Sequence, residues 1–422
     1  MKFIRSGQTA LAKSLHKPWA QAGRGDTPRR MEPAEIIVVG GGLAGLSTAW
    51  HLAQTRSVLL LEQGPCLAAE ASGQNSALIR RMDLEPHERA LSRRTFAWLQ
   101  DPHPDWTSPP SHKTGAVLAL GRDPLHLHDA VAHMRASGVE IESVDRPHAL
   151  SPALTESPLV RAWYLPDEHT ADLPVLVAGF VRGLQRMGAQ VQCGQTVRAL
   201  IQGPSGHIQG VRTDHGPIHA DTVVLAGGAW CQPLAATVGL HRPLIPLRRT
   251  VVISQTRIAP SGPWIWVDDV GVYIRPDAEG WLGSPCDEAV ISPPIGPGST
   301  GTPATSQIAL LQAKLQRYFP SLGAPEPVRG WTGLRTFAPD RRPLLGEDPQ
   351  CPGLWWAAGL GGAGLSGCIG LGQALSSWIN GEQTDWLERA PLQPNRIPMS
   401  RWPILPDGDP QHARLVSTPQ AP

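Results

Sequence analysis

Runs of consecutive apolar residues alternate with glycine turns along most of the chain, and the clearest order comes first. Residues 35–64, EIIVVGGGLAGLSTAWHLAQTRSVLLLEQG, read as an apolar strand, a glycine turn, a helix of small and apolar residues and a second apolar strand. Continuous rather than alternating hydrophobicity predicts strands covered on both faces, as in a βαβ unit. GAVLAL (115–120) predicts a short strand and residues 128–137 a helix; residues 173–200 predict a helix followed by a strand, and VVLAGGAW (223–230) another buried strand entering a glycine turn. Between residues 242 and 303 the period changes. TVVISQ, WIWVDD, VYIRPD and GWLGSP alternate and are separated by turn residues, which predicts an antiparallel sheet.

The pattern is therefore that of an α/β protein with interleaved lobes. A Rossmann-like nucleotide-binding lobe is expected from residues 34–112, 160–240 and 330–390, and an antiparallel, β-rich lobe from 113–159 and 241–329. Residues 1–33 are expected to be a disordered extension ahead of an internal start at Met31, a transit peptide being the other reading. The proline-rich stretch 391–422 is expected to be an irregular tail.

The longest apolar run, LWWAAGLGGAGLSGCIGL (354–371), reaches the length of a membrane span. Its glycines divide it instead into a strand, a glycine loop and a helix start. With 41% hydrophobic and 17% charged residues and a formal net charge of +1, the chain reads as soluble and cytoplasmic, with no basic excess to draw nucleic acid. Six cysteines without a CxxC or a neighbouring His pair indicate reduced thiols, with neither a metal site nor a disulfide framework.

Gly40, Gly42 and Gly45 form GxGxxG between the first strand and its helix. The first glycine allows the tight turn, the second lets a pyrophosphate approach the backbone, and the third lets helix and sheet pack closely. The amides of the helix N-terminus, around Leu43 and Ala44, suit the phosphates. Glu62, with Gln63 after it, ends the second strand about 20 residues on, where a carboxylate accepts ribose hydroxyls. The motif alone does not separate NAD from FAD.

ASGQNSALIR (71–80) does. It resembles the turn that runs under the flavin in the glycine oxidase, sarcosine oxidase and D-amino-acid dehydrogenase family of flavoproteins. Four further blocks resemble it too: VVLAGGAW; LRRTVVIS with VYIRPDAEGWLGSP; GWTGLRTFAPDRRPLLG; and GLWWAAGLGGAGLS. The resemblance runs from Glu35 to about Glu382 and is nearest to the D-arginine dehydrogenase type. It implies FAD as cofactor, held by Ser72, Gly73, Gln74, Asn75, Ser76, Val197, Ala226, Gly227 and Trp230 beside the glycine motif. It also implies a second flavin-binding loop, Gly361, Gly362, Ala363, Gly364, Leu365 and Ser366, whose amides face the pyrimidine edge. No Cys or His stands in the segment around Arg335, so the FAD is expected to be non-covalent.

For the substrate, the resemblance implies oxidation of the C–N bond of an amino acid, with hydride passing to flavin and the imine then hydrolysed. Arg335 is the expected carboxylate anchor, because a planar guanidinium grips a carboxylate with two bonds. Tyr273, one of three tyrosines, is the expected second contact. Arg249 is the third candidate, with Arg248 beside it and a structural salt bridge as the alternative role. Where D-arginine dehydrogenases carry His, Thr and Tyr this chain has Leu78, Arg80 and Asp83, so side-chain specificity does not carry over: Arg80 and Arg81 suit an acidic substrate, Asp83 a cationic one. Oxidation of a hydroxy acid and a non-catalytic FAD-binding subunit are the competing readings. The electron acceptor, whether quinone, carrier or oxygen, is left open.

Overall fold

The computed structural model describes residues 34–81, 85–255, 262–278, 280–299, 301–323 and 326–397. The expected N-terminal extension, Asp83 and the tail beyond residue 397 lie outside the described residues.

Six strands form the first sheet, in the order Leu344–Glu347, Leu354–Ala358, Thr222–Leu225, Ile36–Val39, Val58–Glu62 and Gln190–Cys193. All neighbours run parallel except the Leu344–Glu347 edge strand. Ile36 and Val38 point into one core and Ile37 and Val39 into the other, so both faces are covered and the sequence has no alternation to show. On one face the helix Leu43–Leu52 crosses Cys368–Ile379. A Cβ on Gly372 would run into Ser47, so the close crossing depends on glycine at that point.

The second sheet has nine strands, among them Ala116–Leu120, Arg161–Leu165, Ile245–Gln255, Trp264–Val267, Val272–Asp277, Gly280–Ser284 and Glu326–Phe337. Its central pairings are antiparallel as expected, but Trp264–Val267 pairs with Ala116–Leu120 in parallel. Two strands fall across the expected divisions of the chain. Arg161–Leu165, placed with the nucleotide-binding lobe at 160–240, pairs with Ala116–Leu120 in the nine-stranded sheet. Glu326–Phe337, cut by the expected division at 330, pairs with Ile245–Gln255 along almost its whole length. Pairing between strands distant in sequence decides both placements, and local hydrophobicity does not encode it. The helices Pro86–Gln100 and Thr305–Tyr318 were not anticipated.

Among the described residues no helix is long and apolar enough to cross a membrane; LWWAA and the residues after SG form a strand and a helix joined by the glycine loop. The six cysteines are free thiols.

Candidate active site

A cavity of about 470 Å³ opens along the seam between the two sheets, from the glycine turn at one end to Arg335, Arg249 and Trp266 at the other. At the first end the backbone explains the glycines. Gly40 has φ +113°, and a Cβ there would lie 2.6 Å from the Ala226 carbonyl oxygen. A Cβ on Gly45 would strike the Gly40 carbonyl. Gly42 differs: its absent Cβ faces the cavity, with only Ser72 Oγ near, at 3.1 Å. The three glycines thus divide their work as the motif implies, and the space at Gly42 is the cradle a pyrophosphate needs.

Glu62 does more than line this end. One carboxylate oxygen accepts the Gly41 amide at 2.6 Å and the other the Gly64 amide at 2.6 Å. Burial raises its pKa above the ordinary carboxylate value, against the opposing pull of the Gly64 and Gly41 amides. Each oxygen keeps a lone pair for a ribose hydroxyl. The Leu43 amide donates to Ser72 Oγ at 2.9 Å, tying the helix N-terminus to the ASGQN turn, while the other first-turn amides have no partner within their own helix.

The ASGQN turn is fastened to the nine-stranded sheet by three bonds. Ser76 Oγ donates to the Tyr273 hydroxyl at 2.8 Å, Arg275 Nε to the Ser76 carbonyl at 2.8 Å, and Trp331 Nε1 to the Gln74 carbonyl at 2.8 Å. Gly40, Gly42, Leu43, Ala44, Glu62, Gln63, Ser72, Gln74, Asn75, Ser76, Val197, Ala226, Gly227, Trp230, Gly361, Gly362, Gly364 and Leu365 all line the cavity. Four expected cofactor residues stand behind its wall. Gly45 serves helix packing, and Gly73 backs onto the Ala68 carbonyl. The Ala363 amide closes a turn on the Leu360 carbonyl, and Ser366 Oγ accepts the Arg80 amide at 3.0 Å. The Gly361 and Ala363 amides are thus committed within the loop, Gly361 to the Thr336 carbonyl. The Gly362, Gly364 and Leu365 amides are left for a ligand.

At the other end the strand ladder settles which arginine faces the cavity. Arg249 pairs with Gly333 and Leu247 with Arg335, so Arg249 and Arg335 project from the same face as diagonal neighbours. Arg248 stands on the opposite face, 3.6 Å from Asp287. Arg335 has no carboxylate partner among the described residues. Burial first, and the Arg249 cation second, lower its pKa to about 10, which leaves it charged at neutral pH. Arg249 donates through Nη2 to Glu288 at 3.0 Å, while its Nε and Nη1 are buried without a partner. Arg249 thus makes the structural salt bridge and still lines the cavity with two nitrogens unpartnered. Glu288 also pairs with Arg341 at 2.6 Å. Tyr273 is fully buried, its hydroxyl accepting from Ser76 and its own proton free to donate.

Sequence reading missed a strap, residues 293–299, which crosses from the nine-stranded sheet to the cofactor end. Trp230 Nε1 donates to the Pro294 carbonyl at 2.9 Å, and Glu70 accepts the Gly298 amide at 2.7 Å as well as Ser299. Nothing in PPIGPGS signals this, because both anchors lie more than sixty residues away.

A buried βαβ turn with its acidic partner, sharing one cavity with two arginines on a facing sheet, defines a dinucleotide-dependent enzyme. Residues 35–378 match the family model described as FAD dependent oxidoreductase, and the chain belongs to that family, with FAD as its cofactor. It is 24% identical over 398 residues to the mitochondrial dimethylglycine dehydrogenase of Mus musculus, which covers 87% of this chain but 45% of that protein; the chain thus spans less than half the length of this relative. It is 27% identical over 345 residues to glycine oxidase of Pseudomonas putida, covering 77% of this chain and 88% of that one. The crystal structure of glycine oxidase from Geobacillus kaustophilus superposes with a TM-score of 0.75 at 22% identity, over 87% of this chain and 100% of that one. The cradle at Gly42, the Glu62 carboxylate and the three uncommitted amides of the late loop fit FAD.

Proposed function

We propose that the protein oxidises the C–N bond of a small amino acid. The observation that carries this reading is Arg335: a half-buried guanidinium at the cavity wall, without a carboxylate partner among the described residues, beside two unpartnered nitrogens of Arg249. A substrate carboxylate answers both.

The six-stranded sheet with its helices serves as the FAD lobe, with Gly42 and the first turn of Leu43–Leu52 at the pyrophosphate and Glu62 at the ribose. When bound, FAD accepts the hydride leaving the substrate carbon. The chain's own part is to bind and orient. Arg335, assisted by Arg249, fixes the carboxylate in two dimensions, and the Tyr273 proton serves as a further donor. The Gly362, Gly364 and Leu365 amides supply fixed dipoles where negative charge develops. An amine entering deprotonated needs no side-chain base. The lining contains no Cys or His, which supports non-covalent FAD.

The test is turnover of a D- and L-amino-acid panel with an artificial electron acceptor, beside an oxygen electrode, with 2-hydroxy acids and decarboxylated amines as controls. Amino acids should be oxidised and decarboxylated amines should not. Turnover confined to hydroxy acids, or none with either class, overturns the reading.

A further inference from the structure

The strap 293–299 forms part of the cavity wall: Pro293, Pro294, Ile295, Gly296 and Ser299 all line it. None of residues 291–299 is buried or in regular secondary structure, and Ile295 is fully exposed. Apolar burial therefore does not hold the strap down. Hydrogen bonds at two anchors do. At one, the Trp230 indole donates to the Pro294 carbonyl at 2.9 Å. At the other, one oxygen of the Glu70 carboxylate accepts the Gly298 amide at 2.7 Å, and the second accepts the Ser299 amide at 3.1 Å together with the Ser299 hydroxyl.

Both anchors belong to turns that frame the cofactor site. Trp230 ends the turn that follows the strand Thr222–Leu225. The Glu70 carbonyl accepts the Gly73 amide at 2.8 Å and the Gln74 amide at 3.1 Å. The residue that fastens the strap through its side chain thus also shapes the ASGQN turn through its backbone. An anionic side chain on the wall of a cavity that takes a pyrophosphate needs its charge met by donors, and the strap supplies three. Between the anchors, Gly296 and Gly298 have φ +89° and +103°, backbone conformations that glycine adopts readily.

We propose that the strap is the gate of the FAD site and that Glu70 is the positioning residue that latches it against the cofactor cavity. FAD enters and leaves only when the Glu70 bonds to Gly298 and Ser299 break. The cofactor is then retained by closure as well as by the contacts at Gly42 and Glu62. A latch made in the empty and the loaded protein alike slows both directions of exchange, whereas a residue that only contacts the cofactor slows release alone. The inference concerns the cofactor and goes beyond the choice of substrate, on which it does not depend.

Exchange kinetics test it without reference to turnover. Association is followed by flavin fluorescence on mixing apoprotein with FAD, and dissociation by chasing radiolabelled FAD from the holoprotein with excess unlabelled FAD. E70Q takes the charge out of the latch, so both rates should rise on the order of 10- to 100-fold, the loss of one to two charge-assisted hydrogen bonds. Kd should change far less than either rate. S299A, which removes one of the three donors, should raise both rates by roughly 3- to 10-fold. Proteolysis within 293–299 should quicken in step, because cleavage tracks the open population. A faster dissociation with unchanged association makes Glu70 an ordinary cofactor contact and overturns the proposal, as do rates unchanged in both variants. Should E70Q not fold, S299A makes the same comparison, with circular dichroism as the folding control.

Discussion

The Glu62 carboxylate clamps the amides of Gly41 and Gly64, one to each oxygen at 2.6 Å, so the residue proposed to meet the ribose also holds the glycine turn in shape. Glu62→Gln keeps one acceptor but turns an NH₂ toward the second amide. That leaves a buried donor unpaired, at a cost of about 1–3 kcal/mol. Apoprotein melting should fall, and FAD should bind roughly 10- to 100-fold more weakly. An apoprotein melting unchanged from wild type would show that the clamp contributes nothing to the turn.

Gly42→Val and Gly45→Val should fail differently. At Gly42 the side chain enters the cavity, so the protein should fold but purify without FAD. At Gly45 it collides with the Gly40 carbonyl, so soluble yield should collapse. Circular dichroism and flavin content distinguish the two; a yellow Gly42→Val protein would remove the cradle assignment.

Arg335→Lys retains the charge and loses the fork. Losing a charge-assisted bond costs roughly 1.5–3 kcal/mol, and 1.36 kcal/mol is about tenfold in rate. We therefore expect kcat/KM to drop on the order of 10- to 200-fold, with FAD content near wild type. Preference for an amino acid over its decarboxylated amine should weaken in parallel. If the preference survives, Arg249 holds the carboxylate.

Acid should destabilise the fold through His87. Burial first, then the Arg342 and Arg396 cations, lower its pKa from 6.5 to about 4, and its Nε2 is buried without a partner. Between those values the unfolded chain binds a proton that the folded one does not. Stability is therefore full above pH 6.5 and falls toward pH 4, by up to about 1.4 kcal/mol per pH unit. Melting temperature against pH should be flatter over that window in His87→Leu; parallel curves would exclude His87 as the source.

Much of the cofactor site was legible because its signals are local. The three glycines, Glu62 and the late glycine loop each carry a conformational requirement within a few residues of sequence. The substrate end was less so. Two adjacent arginines, Arg248 and Arg249, look alike in sequence, and only the register Arg249 with Gly333 and Leu247 with Arg335 puts one on the cavity face. The strap, the stacking of Arg80 on Trp266 and the placement of Arg161–Leu165 likewise depend on partners far along the chain. Tyr273 stood out in the sequence as a candidate, but not that its hydroxyl would accept a bond from Ser76.

The order of strands in the six-stranded sheet also bears on how the protein is made. The phosphate turn is complete once residue 64 has been synthesised, but Ile36–Val39 has an unpaired edge until Thr222–Leu225 docks against it. The late loop to Ser366 comes some 300 residues after that turn. At ribosomal rates of about 5–20 residues per second, that interval is on the order of 15–60 s. For that time the nascent chain has a bare strand edge, which is a hazard for wrong pairing, and it has no complete pocket to be rescued by cofactor. We therefore expect FAD to load only after Ser366 has been synthesised, so that limiting riboflavin during expression should lower the soluble yield of this protein after synthesis rather than stall it on the ribosome.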